Sequence, residues 1–243
     1  MPHPFRMYSD LAVWWPQLSP PSAYAEEVAE LLPSILAAPD APPATLLELG
    51  CGGGSFAYHL KAHLRLTLSD LSPAMLAVSR TLNPECEHAE GDMRSLDLAR
   101  AFDLVLIHDA IMFATTPADA QAALSTAARH CRPGGAIVLI PDFVTETFEA
   151  DENSGGCETL DGSGLRYVEK KWDPDPSDQT YETVYDFVVR AADGVEDAVH
   201  EVHRNGLFPR GAWIAWLRDA GFDATSRIDP WGRDVFIGRK RSS

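Results

Sequence analysis

Through its first 140 residues the chain alternates short apolar runs with longer stretches whose apolar residues recur every three or four positions. Segments 45–49, 64–69, 102–108 and 136–140 predict strands, with 86–90 as a shorter one. The run at 102–108 is almost continuously apolar, the pattern of a strand covered on both faces. Val28, Leu31, Leu32 and Ile35 stand at helical spacing and predict a helix from a cap at Ser22 to about Ala38. Residues 55–63, 73–82 and 119–131 predict three more helices. The second opens with Pro73 in its first turn, and the last is closed by Arg132-Pro133-Gly134-Gly135.

The rhythm changes after Pro141. Residues 143–164 are polar, acidic and glycine-bearing, and predict a loop. Three β-like segments follow, 165–172, 180–190 and 195–205, separated by the turns Asp173-Pro174-Asp175-Pro176 and Ala192-Asp193-Gly194. Residues 209–220 predict a helix stopped by Gly221, and 222–228 and 234–239 two final strands. The alternation gives an α/β fold: a Rossmann-like, doubly wound, mostly parallel seven-stranded sheet. It carries an inserted small antiparallel β-sheet as a lid and an N-terminal helical segment. The expected divisions are 1–43 for that segment, 44–142 for the ligand-binding core, 143–208 for the lid on the substrate side, and 209–243 for the helix and strands that complete the core.

A length of 243 residues suits one large domain, or a core with a modest insertion. The formal charge of −16 disfavours a nucleic-acid partner, which would be repelled over most of the surface. Arg239-Lys240-Arg241 reads as a solvated charge cluster. Cys51, Cys86, Cys131 and Cys157 are widely spaced without a CxxC pair, so neither a disulfide framework nor a metal site is expected. No apolar run reaches the roughly 18 residues of a membrane span, and no signal-peptide pattern is present. A cytoplasmic protein with a small-molecule partner is expected, with a homodimer as one open oligomeric state.

The densest chemistry lies at 46–57, an apolar segment, then Glu48, then a glycine-rich turn, then a helical pattern. Glycine there lets backbone approach a ligand closely. A dinucleotide fingerprint would need glycine at 55, where the chain has Ser55, and no Lys-Ser/Thr pair ends the run as in a phosphate loop. In open α/β sheets the ligand lies outside the carboxyl ends of the strands. Those ends carry Glu48 with the glycine turn, Asp70, Asp92-Met93 and His108-Asp109. Asp70 suits a carboxylate accepting two ribose hydroxyls, and also suits a cap, since Ser72-Pro73 opens the next helix. Asp92 could accept from an adenine amino group, with Met93 against the ring.

Glu48-x-Gly50-x-Gly52-x-Gly54 resembles the first motif of class I S-adenosylmethionine-dependent methyltransferases, and Asp70, Asp92-Met93 and Arg132-Pro133-Gly134-Gly135 follow in the family's order. The resemblance covers about residues 45–140, and more loosely the Ala220-Gly221-Phe222 turn and last strands. It implies S-adenosylmethionine as cofactor. Glu48 would orient the methionine portion, and the turn of Gly50, Cys51, Gly52 and Gly54 would admit the cofactor. Asp70 would bind ribose, and Asp92 and Met93 would frame adenine. Tyr24, Leu71, Met75 and His108 complete the expected cofactor contacts. The layout resembles glycine and aminosugar N-methyltransferases.

The resemblance implies methyl transfer to nitrogen or oxygen of a small acceptor by direct in-line displacement, with alignment and management of one proton as the enzyme's tasks. His108 is the candidate base or orienting group, because imidazole titrates near neutrality; a packed histidine bonded to backbone fits the residue equally well. Asp109 could orient the acceptor or cap a turn. Tyr8, Trp14, Tyr181, Tyr185 and Trp231 are expected to wall the acceptor, although tyrosines at strand spacing also suit a core. Trp15 reads as packing, and His200 and His203 as surface or lid residues. Two other functions stay open: another transformation of S-adenosylmethionine, or a non-catalytic module that binds it.

Overall fold

In the computed structural model, which describes residues 5–241, the chain opens with short helical turns at Arg6–Tyr8 and Asp10–Trp14, then α1 (Trp15–Leu18) and a turn at Pro21–Tyr24. α2 (Ala25–Ala37) starts two residues later than its pattern suggests. Ser22 does not cap it, because Pro21–Tyr24 forms a separate 3-10 turn first. The core follows as β1 (Thr45–Leu49), α3 (Ala57–Leu60), β2 (Arg65–Asp70), α4 (Pro73–Leu82), β3 (Glu87–Glu90), β4 (Phe102–His108), α5 (Pro117–His130) and β5 (Cys131–Ile140). Then come β6 (Asp151–Glu158), β7 (Gly164–Trp172), β8 (Thr180–Arg190), β9 (Glu196–Gly206), α6 (Arg210–Asp219), β10 (Phe222–Ile228) and β11 (Asp234–Lys240).

Seven strands form one sheet in the order β10-β11-β5-β4-β1-β2-β3. The five from β5 to β3 are parallel, and β11 and β10 run antiparallel at the edge. Strand order reverses between β1 and β4, which opens a crevice at their carboxyl ends. Successive side chains point to opposite faces, so the buried strands feed two cores. Leu47, Leu49, Val105, Ile107 and Ile137 pack under α5 and α6. Leu46, Leu66, Leu68, Leu104 and Leu106 pack against α2, Phe56 and α4.

A separate antiparallel sheet, β6-β7-β8-β9, follows β5 as expected of the lid. β6 lies within the stretch that predicts a loop. Its residues are nearly all exposed and it pairs only with β7, so backbone pairing holds it and no apolar pattern announces it. The helix after the glycine turn is one turn long rather than nine residues, because turns at 61–64 lead the chain directly into β2. β5 begins at Cys131 instead of 136, with an irregularity against β4 that absorbs Arg132-Pro133-Gly134-Gly135. α5 starts at Pro117, where Thr116 Oγ1 accepts the Asp119 N–H at 3.1 Å. Among the described residues no helix is long and apolar enough to cross a membrane.

The N-terminal turns pack on the lid sheet, with Leu11 buried against Leu165, Phe187 and Val199. Arg6 ties them to β9: its backbone N–H donates to Glu201 Oε1 and its guanidinium pairs with Asp197 at 2.8 Å.

Candidate active site

A cavity of about 610 Å³ opens over the carboxyl ends of the central strands and is roofed by the N-terminal turns and the lid sheet. Its floor is the glycine turn. Gly50 and Gly52 take positive φ, and the Asp70 carboxylate braces the turn, with Oδ2 accepting the Gly52 N–H at 2.8 Å. Oδ1 of Asp70 accepts the Ser72 N–H at 2.8 Å, and Ser72 caps α4. Asp70 is therefore a turn-bracing residue that also lines the cavity. Glu48 is buried beside it, and its Oε2 meets no donor. Burial pushes the Glu48 carboxyl up to about 8, against the pull of His108.

Toward β3 the cavity is lined by Leu71, Met75, Gly91, Asp92 and Met93. Asp92 is held by Arg94 at 2.6 Å, and Arg94 also reaches Asp119 at 2.8 Å. Its carboxylate is thus oriented and kept below the usual range chiefly by that guanidinium.

At the other end, β4 delivers His108, stacked on Phe56 with ring centroids 4.4 Å apart. Nε2 lies 2.7 Å from Glu27 Oε1 and Nδ1 lies 3.1 Å from Asp109 Oδ2. Burial alone would lower the imidazole's pKa; Asp109 and Glu27 outweigh it and raise it to about 10. His108 is therefore an imidazolium at neutral pH, with both nitrogens engaged and no lone pair for a substrate proton. That geometry favours the orienting role over the base. Asp109 stands at φ +54 with a buried Oδ1 that has no hydrogen-bond partner among the described residues, and Asp142, the second residue after β5, lines the same cavity. Burial, with Asp109 opposite, holds the Asp142 carboxyl well above the usual range.

The roof presents pairs of residues two apart on adjacent strands: Glu169 and Lys171 on β7, Thr183 and Tyr185 on β8, His203 and Asn205 on β9. Tyr185 donates to Glu169 Oε1 at 2.8 Å, and Lys171 meets the same oxygen at 3.1 Å. His203 bonds Glu201 Oε2 at 2.9 Å and stacks on Phe5 at 3.8 Å.

Of the residues singled out in the sequence, Tyr8, Tyr24, Glu48, Gly50, Cys51 and Gly52 line this one cavity. So do Asp70, Leu71, Met75, Asp92, Met93, His108, Asp109 and Tyr185. Gly54 does not. A Cβ there would meet Ser79 and Asn83 at 2.4 Å, so its smallness serves the packing of the turn on α4. Trp14 packs with the lid core, while its neighbour Trp15 faces the cavity, the reverse of the expectation. Tyr181 is buried with Phe143 and Phe148 at the base of the lid. Trp231 stands half exposed in the β10–β11 turn, away from the cavity. His200 and His203 both lie on the lid strand β9, one of the two expected placings, with His200 exposed and His203 buried toward the cavity. Sequence reasoning missed Asp142 although it follows a strand end, and missed the lid pairs because nothing local says which face turns inward. Among the described residues no group of three or more His, Cys, Asp or Glu is arranged to hold a metal ion.

Comparison with known proteins agrees with this geometry. A profile of the methyltransferase domain matches residues 46–135. The chain is 28% identical over 224 residues to the dTDP-3-amino-3,4,6-trideoxy-alpha-D-glucopyranose N,N-dimethyltransferase of Streptomyces venezuelae, covering 89% of this chain and 90% of that one. S-adenosylmethionine-bound CalS10, an amino pentose methyltransferase from Micromonospora echinaspora, matches at a TM-score of 0.73 and 28% identity over 89% of this chain and 91% of its own. The sugar N-methyltransferase KedS8 from Streptoalloteichus sp ATCC 53650 shares the fold, with a TM-score of 0.81 at 24% identity over 96% of this chain and 92% of its own.

The cavity's donor set fits S-adenosylmethionine. The partnerless Glu48 Oε2 suits a cationic methionine end, Asp70 suits ribose hydroxyls, and the slot at Asp92 and Met93 suits a flat base. Glycine turn, strand-end carboxylates and matching domain converge: the chain is an S-adenosylmethionine-dependent methyltransferase with its methyltransferase domain at residues 46–135, and it resembles the class I small-molecule enzymes, the aminosugar N-methyltransferases among them.

Proposed function

We propose that the enzyme methylates the nitrogen of a small amine, of the aminosugar class, by direct in-line displacement. The cofactor lies along the ends of β1, β2 and β3, with Glu48 at its methionine end, Asp70 at the ribose, and Asp92 and Met93 at the adenine. The acceptor lies under the lid, walled by Tyr8 and Tyr185. Asp109 aligns it, and His108 holds Asp109 in place.

The observation that carries this reading is the similarity to N,N-dimethyltransferases of dTDP-linked aminosugars, at 28% and 29% identity over 89% and 80% of this chain. The acceptor half supports it with carboxyl oxygens at Asp109, Asp142 and Glu169, which can accept from the N–H groups of an amine. The net charge of −16 supports a small acceptor over a nucleic acid.

A product screen tests it. The protein is incubated with S-adenosylmethionine and panels of aminosugars, free and nucleotide-linked, beside matched sugars with hydroxyl in place of amine. Masses raised by one or two methyl groups on the amines alone, with equal S-adenosylhomocysteine, are expected. Turnover of the hydroxyl series alone would overturn the reading.

A further inference from the structure

Most polar side chains that the lid turns toward the cavity are bonded to one another. Asn205 Nδ2 donates to Thr183 Oγ1 at 2.9 Å, His203 bonds Glu201, and the Tyr185 hydroxyl donates to Glu169 Oε1 at 2.8 Å. Glu169 and Lys171 keep bonding capacity in hand. They lie two residues apart on β7 and so share its inward face. The Lys171 ammonium meets Oε1 of Glu169, the oxygen that Tyr185 already uses, at 3.1 Å. Oε2 of Glu169 has no hydrogen-bond partner among the described residues. The ammonium carries three N–H groups, and Oε1 of Glu169 is the one oxygen it meets among those residues.

The two side chains are only 20% and 14% exposed. An ion pair so far removed from water costs desolvation and adds little to stability, which leaves its chemistry as the reason for it. Its geometry is held from behind. Tyr185 stacks on Phe187 with centroids 5.4 Å apart and rings 11° from parallel, which fixes the hydroxyl on Oε1 and leaves Oε2 to the cavity. Lys171 Nζ stands 6.0 Å from the ring centroid of Phe143, three residues past the end of β5. β5 neighbours β4, whose end carries Asp109, so the pair overhangs the part of the cavity assigned above to the amine.

The pair presents an accepting oxygen and a donating nitrogen side by side, with no net charge. A hydroxyl matches both, since it donates one hydrogen bond and accepts another. A phosphate or carboxylate has no proton for Oε2, and an ammonium has no lone pair for Lys171. Resting on the amine reading above, we propose that Glu169 and Lys171 are specificity-determining residues for one free ring hydroxyl of the acceptor. That hydroxyl donates to Glu169 Oε2 and accepts from Lys171 Nζ. The acceptor is then an amino alcohol, selected by its hydroxyl as well as by its amine. An analogue with hydrogen in place of the hydroxyl leaves both charged groups without that partner beneath the lid, and a site built in this way rejects it strongly.

Initial rates with S-adenosylmethionine test this for 3-amino-3-deoxyglucose and 4-amino-4-deoxyglucose, free and nucleotide-linked, each beside analogues lacking one further ring hydroxyl at a time. The wild type is expected to lose about a hundredfold or more in kcat/KM when one particular hydroxyl is removed. In the double variant Glu169→Leu with Lys171→Met, which replaces the pair by apolar groups of similar volume, that preference should fall to within about threefold. Should the double variant fail to fold, Glu169→Gln serves: it can still accept from Tyr185, and it should cut the preference by about tenfold or more. Equal losses for parent and deoxygenated acceptors in these variants would make the pair structural and overturn the proposal. Wild-type rates within about threefold across the whole deoxygenated series would overturn it without any variant, and would leave the amine reading standing. Methylation of no amine in the panel would remove the amine reading and this proposal with it.

Discussion

Nε2 of His108, at the end of β4, lies 2.7 Å from Oε1 of Glu27, on α2. The same oxygen receives Arg233 at 2.6 Å, and Arg233 reaches back to Asp229 in the β10–β11 turn. One carboxylate thus locks the first long helix, the mouth of β4 and the far edge of the sheet together behind the cavity.

His108→Asn should destabilise the fold by about 3–5 kcal/mol near pH 7, because it removes the cation between Glu27 and Asp109 and leaves Arg233 alone to pair Glu27. The imidazole's folded pKa, about 10, is above its ordinary 6.5. Its contribution is therefore full below about pH 6.5 and is lost as pH rises through about 10. Denaturant titrations should show wild type and variant converging between pH 7 and pH 10. A constant difference would mean that His108 is not charged in the native state.

Glu48 shows the same direction of pH dependence, set by burial instead of by a charged partner. Its folded pKa, about 8, exceeds the ordinary 4.5, so the native state holds a proton that the unfolded chain releases. Stability is lost as pH rises from about 4.5 through 8. Glu48→Gln should gain stability relative to wild type at pH 9 but not at pH 4, and should bind S-adenosylmethionine more weakly. Unchanged affinity would remove Glu48 from the cofactor's methionine end.

Asp70→Ala should weaken S-adenosylmethionine and S-adenosylhomocysteine alike, by about 1–3 kcal/mol. It removes the acceptor expected for the ribose and the brace on the Gly52 and Ser72 N–H groups. Calorimetry beside a melting curve separates the two losses. A folded variant with unchanged affinity would show that the ribose is held elsewhere.

Gly53 lies under the lid tryptophan: a Cβ there would stand 2.2 Å from Trp15 Cδ1. Gly53→Ala should displace the indole, shift tryptophan fluorescence and raise the dissociation constant for S-adenosylmethionine. In the Trp15→Ala background the same change should have little further effect. Additive losses in that double-mutant cycle would show that the two residues do not act together.

Much of this was legible from the chain. The near-continuous apolar run of β4 and the glycine turn after β1 give the sheet and the floor of the site, because both are dictated locally. The rule that ligands sit at strand ends finds Asp70, Asp92 and His108, and applied to β5 it finds Asp142 as well. The lid was harder. Glu169 and Lys171, or His203 and Asn205, reveal a two-residue period, but which face looks inward depends on how the sheet docks. Trp14 and Trp15 are adjacent in sequence, and only the passage from a 3-10 turn into α1 decides that the second faces the cavity. β6 buries almost nothing, so no sequence signal marks it.

The most direct test of amine methylation is to run the reaction with S-adenosylmethionine labelled with 13C in its methyl group and to identify by NMR the atom bonded to that carbon in the product. A methyl carbon on nitrogen is the expected result, with the label absent from the S-adenosylhomocysteine formed. A methyl carbon on oxygen or carbon would contradict it and would require a different reading of the carboxyl groups beneath the lid.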